Sequence, residues 1–164
     1  MSQSTRLPVD PDVDLHDARQ RFELLRTPWS VLGVIAAGGA LGALARLGLA
    51  TAWPHTPGKF PWATFVTNVA GCFLIGVLMV LISEVWSAHR LIRPFLGVGV
   101  LGGFTTFSTY TGDVLQLVNA GAARAGLLYL AGTLVAALAA VYLGITVTRL
   151  ATRRRRVKRH REAQ

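Results

Sequence analysis

The chain has 164 residues, 52% of them hydrophobic and only 15% charged, with a formal net charge of +9. Its charges gather in two tails and short connections, leaving long uncharged runs between them. That excludes a water-soluble globule, which would spread charge over every exposed face, and indicates an integral membrane protein of one domain.

Residues 1–29 lack the apolar core of a signal peptide. Asp10, Asp12, Asp14, Asp17 and Glu23 instead interleave with Arg6, Arg19, Arg21 and Arg26. They read as a largely disordered cytoplasmic tail that becomes helical only near the membrane. A domain of four spans follows over 30–148. Each run exceeds what a strand needs and meets the roughly 20 residues of a membrane helix.

The first span covers 30–52 and is broken only by Arg46. Turn chemistry marks Pro54, His55, Thr56, Pro57 and Gly58 as a loop. The second span covers 62–83, and His89, Arg90 and Arg93 mark the next connection. The third, 94–118, is unusually rich in Gly, Ser and Thr. After Asn119 to Ala123 the fourth span covers 124–148. The tail 149–164 carries Arg149, Arg153 to Arg156, Lys158, Arg159 and Arg161. A basic block directly after a membrane helix reads as a topology anchor near anionic lipid rather than a nucleic-acid-binding arm. With four spans, both tails and the middle connection share one side, and that side holds most of the Lys and Arg. Both termini are therefore expected in the cytoplasm of a multi-pass cell-membrane protein.

Enzyme chemistry finds little footing. Cys72 is the single cysteine and reads as a packing residue. No His/Cys cluster suits zinc, no phosphate loop is present, and Ser108 has no histidine within any span to activate it. The expectation is a non-enzyme.

The polar and small residues of the spans carry the remaining information. Gly38 and Gly42, then Gly99 and Gly103, are spaced for close helix packing. Gly132, Ala136, Ala140 and Gly144 form a smooth stripe that suggests oligomerisation. Asn68 is costly in a bilayer unless partnered; Thr64 lies one turn before it, and both an interhelical hydrogen bond and a functional role are open. Gly102-Gly103-Phe104-Thr105-Thr106-Phe107-Ser108-Thr109-Tyr110 is a poor continuous helix, and a local break is expected. Phe107 and Tyr110, three apart, would present electropositive ring edges on one side. Ring edges with amide and hydroxyl donors suit a small anion.

From about Gly38 to Gly144 the chain resembles the CrcB/Fluc family of fluoride-specific ion channels. The resemblance rests on Gly38, Gly39, Gly42, Ala43 and Arg46 in the first span, and on Thr64, Phe65, Asn68 and Gly71 in the second. In the third it rests on Gly102, Gly103, Thr105, Thr106, Phe107, Ser108 and Thr109. It implies an all-α membrane protein whose four transmembrane helices, the third broken, form an antiparallel dual-topology dimer with two pores. Asn68 would line a pore as a donor. Phe107 would be the first pore aromatic and Tyr110 the second, where the family usually has Phe. Tyr129 and Thr133 would belong to a polar track, and Arg46 would sit in a vestibule that concentrates anions. A structural, non-transported sodium ion would be held by the backbone carbonyls of Gly102 and Thr105. Asp113 stands where the family often has Glu, and Ala137 lacks a hydroxyl often found there.

The resemblance further implies passive export of cytoplasmic fluoride and relief of its toxicity. The strong charge bias favours a heterodimer with an oppositely oriented paralogue over a homodimer. A small four-helix multidrug exporter would need a membrane-embedded carboxylate, yet Glu84 and Asp113 lie near span ends and the first span has no acid. A noncatalytic membrane scaffold would tolerate an apolar residue at position 68.

Overall fold

The computed structural model describes residues 29–56, 58–85 and 91–162. The acidic tail, together with His89 and Arg90, lies outside the described residues. Every regular element among the described residues is helical: α1 (Trp29–Ala52), α2 (Trp62–Val80), α3 (Pro94–Leu101), α4 (Phe107–Asn119) and α5 (Ala123–Glu162). α2 continues into a π-helical turn, Leu81–Val85; α3 is itself π-helical and closes in one α-turn, Gly102–Phe104.

Three stretches are long and apolar enough to cross a membrane: Trp29–Ala52, Trp62–Glu84 and Ala123–Arg153. Their exposed surface is apolar. Leu41, Leu44 and Leu47 on α1, and Leu128, Leu134, Val135 and Leu138 on α5, all lie open. Only 11% of the most apolar α1 window is buried within the chain. Exposed leucine on this scale belongs against lipid or another protein. The chain is a multi-pass membrane protein.

Close backbone packing at glycine joins the helices in pairs. On α1, a Cβ at Gly38 would lie 2.6 Å from the Phe95 carbonyl oxygen, and one at Gly42 would overlap the Val100 carbonyl. Gly99 and Gly103 on the facing segment meet Ile35, Gly38 and Gly39 equally closely. α2 and α5 repeat this device, with Gly76 against the Val141 carbonyl and Gly144 against that of Phe73. Small residues allow this approach where no hydrophobic force draws helices together.

The stripe on α5 therefore divides. Ala140 and Gly144 are consumed by packing inside the chain, whereas Gly132 has nothing within 4 Å. Beyond residue 148 the helix does not stop: α5 runs 40 residues to Glu162, so the basic segment continues the fourth helix. At about 1.5 Å per residue it is twice as long as the hydrocarbon core is thick. Arg149 Nε and Glu84 Oε1, 2.8 Å apart, tie it to the turn after α2.

Between Phe104 and Phe107 the backbone is extended, with Thr105 at φ −74°, ψ 156° and Thr106 at φ −148°, ψ 127°. Two successive β-branched residues suit that conformation. At the far end of α4, Gly121 takes φ 75° and lets the Gly121 and Ala122 N–H groups return to the Val118 and Leu117 carbonyls. This reversal sends α5 back along α4.

Candidate pore site

Asn68 grips the extended segment from α2. Its Nδ2 donates to the Thr106 carbonyl at 2.9 Å, and its Oδ1 accepts from the Thr106 N–H at 2.8 Å. The amide thus pairs with backbone 38 residues away in sequence. Thr106 also caps α4: its Oγ1 accepts from the Thr109 N–H at 3.1 Å.

Both bonds remove donors from carbonyls upstream. The Thr106 N–H would serve Gly102 in an unbroken α-helix, and the Thr109 N–H would serve Thr105. One of the two carbonyls between them in sequence, that of Gly103, accepts from Arg46 Nε at 3.3 Å. A cation at this C-terminal helix end is favourably placed against the helix dipole.

Two cavities meet at Thr106. One of about 270 Å³ is lined by Asn68, Cys72, Thr105, Thr106, Phe107, Tyr110, Thr133, Leu134 and Ala137. Most of these are small, aromatic or hydroxylic. The Phe107 and Tyr110 ring centroids are 5.8 Å apart and tilted at 53°. Tyr110 is buried, and its hydroxyl donates to the Leu130 carbonyl on α5. Phe107, the first residue of α4, is 76% exposed. Thr133 is buried, yet its Oγ1 has no hydrogen-bond partner among the described residues. The second cavity, about 580 Å³, is lined by Arg46, Thr64, Thr67, Thr106 and Thr109 among small residues of α1.

Tyr129, expected beside Thr133, does not line the first cavity. It is fully buried against Phe60 and Tyr110, with ring centroids 5.2 Å from each. Its hydroxyl donates to Asp113 Oδ2 at 3.3 Å, and His55 Nε2 stands 3.8 Å from Asp113 Oδ1. The sequence reading missed Phe60 and His55, which reach this cluster from the α1–α2 connection. An aromatic pair flanking a span start, Phe60 and Trp62, was the available signal for the first; nothing in the sequence marks the second.

Comparison with known proteins now adds a decisive observation. Residues 33–145 match the family described as CrcB-like protein, Camphor Resistance (CrcB). The chain belongs to the CrcB family.

Among CrcB relatives, the protein named fluoride-specific ion channel FluC 2 of Nocardia farcinica is 58% identical over 123 residues, which cover 75% of this chain and 88% of that protein. In Streptomyces avermitilis, one relative named FluC 2 is 59% identical over 104 residues, covering 63% of this chain and 66% of the relative. Another from the same organism, named FluC 3, is 43% identical over 125 residues, covering 76% of this chain and 61% of the relative. The matched CrcB region contains the Asn68 clamp, both cavities and the Asp113 cluster. The basic continuation of α5 beyond residue 145 falls outside it.

Proposed function

We propose that this chain is a subunit of a fluoride-specific channel that releases cytoplasmic fluoride passively and so lowers its toxicity. The observation that carries this is the cavity beside the extended Thr105–Thr106 segment. It holds an amide, two aromatic rings and a hydroxyl left without a protein partner. Fluoride is small and strongly hydrated, and a pore must replace its water with donors at short range. Asn68 has a second amide hydrogen beyond the one given to Thr106. The Thr133 hydroxyl and the Phe107 and Tyr110 ring edges complete a lining of electropositive groups. The larger cavity is the vestibule, where the Arg46 charge raises the local anion concentration. Tyr129 and Thr133 form the polar track leading away from the rings.

What the chain leaves open supports the reading of an antiparallel dimer with two pores. Phe107, Ser108 and Thr109 are exposed where lipid would meet them. Polar side chains and non-helical backbone at membrane depth require cover by protein or water. A second subunit supplies that cover. The Gly102 and Thr105 carbonyls, deprived of helical donors, fit a hard cation, and oxygen ligands suit sodium. Bound there, sodium would neutralise carbonyl dipoles at the dimer centre. Arg46 would hold the neighbouring Gly103 carbonyl.

The excess of Lys and Arg on the tail side favours both termini in the cytoplasm and an oppositely oriented paralogue as partner. Two differently numbered FluC relatives in Streptomyces avermitilis support pairing between related chains. The relatives' names weigh against the multidrug-exporter and scaffold readings.

Phe107→Ile tests the site. It keeps an apolar side chain but removes the ring edge, so fluoride flux through reconstituted protein is expected to fall at least about tenfold, the loss of some 1.4 kcal/mol of ion stabilisation. Unchanged flux would exclude the ring from the path.

A further inference from the structure

A carboxylate stands close to the proposed anion path, and a negative charge there would oppose conduction. Asp113 lies on α4 one turn from Tyr110, whose ring lines the pore cavity, and is only 4% exposed. Its Oδ2 accepts from Tyr129, whose ring packs against Tyr110. A buried charge acts over several ångströms with little screening, and it repels an anion.

The α1–α2 connection brings a group that can cancel this charge. His55 Nε2 is 3.8 Å from Asp113 Oδ1, with the imidazole 28% exposed and reachable by protons from water. Among the described residues the titratable groups placed around Asp113 are Tyr129 from α5, His55 from the connection and Tyr110 on α4 itself. Lys59 and Arg124 also lie at this end of the molecule, but among the described residues neither forms a salt bridge with a carboxylate. Histidine is the side chain whose ordinary charge change falls between about pH 5 and 8.

We propose that His55 is a charge-compensating positioning residue for conduction. Its protonated imidazole pairs with Asp113, neutralises the carboxylate beside the pore aromatics, and raises anion flux in acid. This rests on the channel reading above. The sign follows directly. With His55 protonated the pair is neutral and the path is open to fluoride; with His55 neutral a charge on Asp113 stands alone and flux falls.

The test is fluoride efflux from liposomes at matched internal and external pH, from about 5.5 to 8. Protein-free vesicles give the background from neutral hydrogen fluoride. Wild-type flux is expected to rise roughly tenfold towards the acid end, the scale of one nearby unit charge acting through a partly screened interior. His55→Gln should hold the low alkaline rate throughout. His55→Lys, with a permanent charge in the same loop, should hold the high rate throughout. A His55→Gln profile that follows wild type, or a His55→Lys profile that still falls with pH, would overturn the proposal. Absence of protein-dependent flux from wild type at every pH would defeat the channel reading, and the compensation by His55 with it.

Discussion

At the scale of single residues, the most informative contrast is between Asn68 and Thr133. Both line the same cavity, but their hydrogen bonds differ. Asn68 satisfies both the N–H and the carbonyl of Thr106, so Asn68→Ala leaves two backbone groups without partners. That should cost about 2–4 kcal/mol and lower the melting temperature in detergent along with flux. The Thr133 hydroxyl satisfies nothing inside the chain. Thr133→Val keeps its shape and should leave the melting temperature within about 0.5 kcal/mol of wild type while reducing fluoride flux. A valine variant that melts much earlier would give Thr133 a structural role, and one with full flux would remove it from the path. The sequence could expose Asn68 because an amide inside an apolar run is conspicuous. It could not name the partner: Thr64, one turn away, was the visible candidate, whereas the observed bonds go to distant backbone. His55 shows the opposite failure. A histidine between prolines reads as a turn, and only the folded connection sets it beside Asp113.

At the scale of elements, periodicity described the faces of the helices without saying what each face meets. The stripe Gly132, Ala136, Ala140 and Gly144 is uniform in sequence, and the structure uses its two ends differently. Gly144 presses against the Phe73 carbonyl inside the chain, while Gly132 faces open space. Gly144→Ala should therefore cost about 1–3 kcal/mol by overpacking α2 against α5. Gly132→Ala should leave the subunit's fold intact. Thermal melting of both variants in detergent checks this, and equal losses would contradict the packing described. Tyr129 and Thr133 carry a similar lesson. One helical turn apart, they read as neighbours on one track, yet Tyr129 is locked among Phe60 and Tyr110 while Thr133 lines the cavity. The run lengths that announce helices carry no information on such packing. They also could not show that α5 continues through its basic segment, because the apolar pattern ends where the helix does not.

At the scale of the whole molecule, composition alone announced a membrane protein, and the all-helical fold with its apolar surface agrees. Phe107, Ser108 and Thr109 lie exposed on the surface of the single chain, and the proposed dimer would cover them. No pattern within one chain specifies what covers them, which is why the proposed dimer and its orientation rest on charge bias and family resemblance. The central claim is selective fluoride conduction, and the most direct test is efflux of fluoride and chloride from liposomes holding this chain, alone and with an oppositely oriented relative. The account predicts rapid fluoride release with chloride retained in at least one of these two preparations. Chloride leaving as fast as fluoride, or retention of both ions by folded, inserted protein in both preparations, would contradict it.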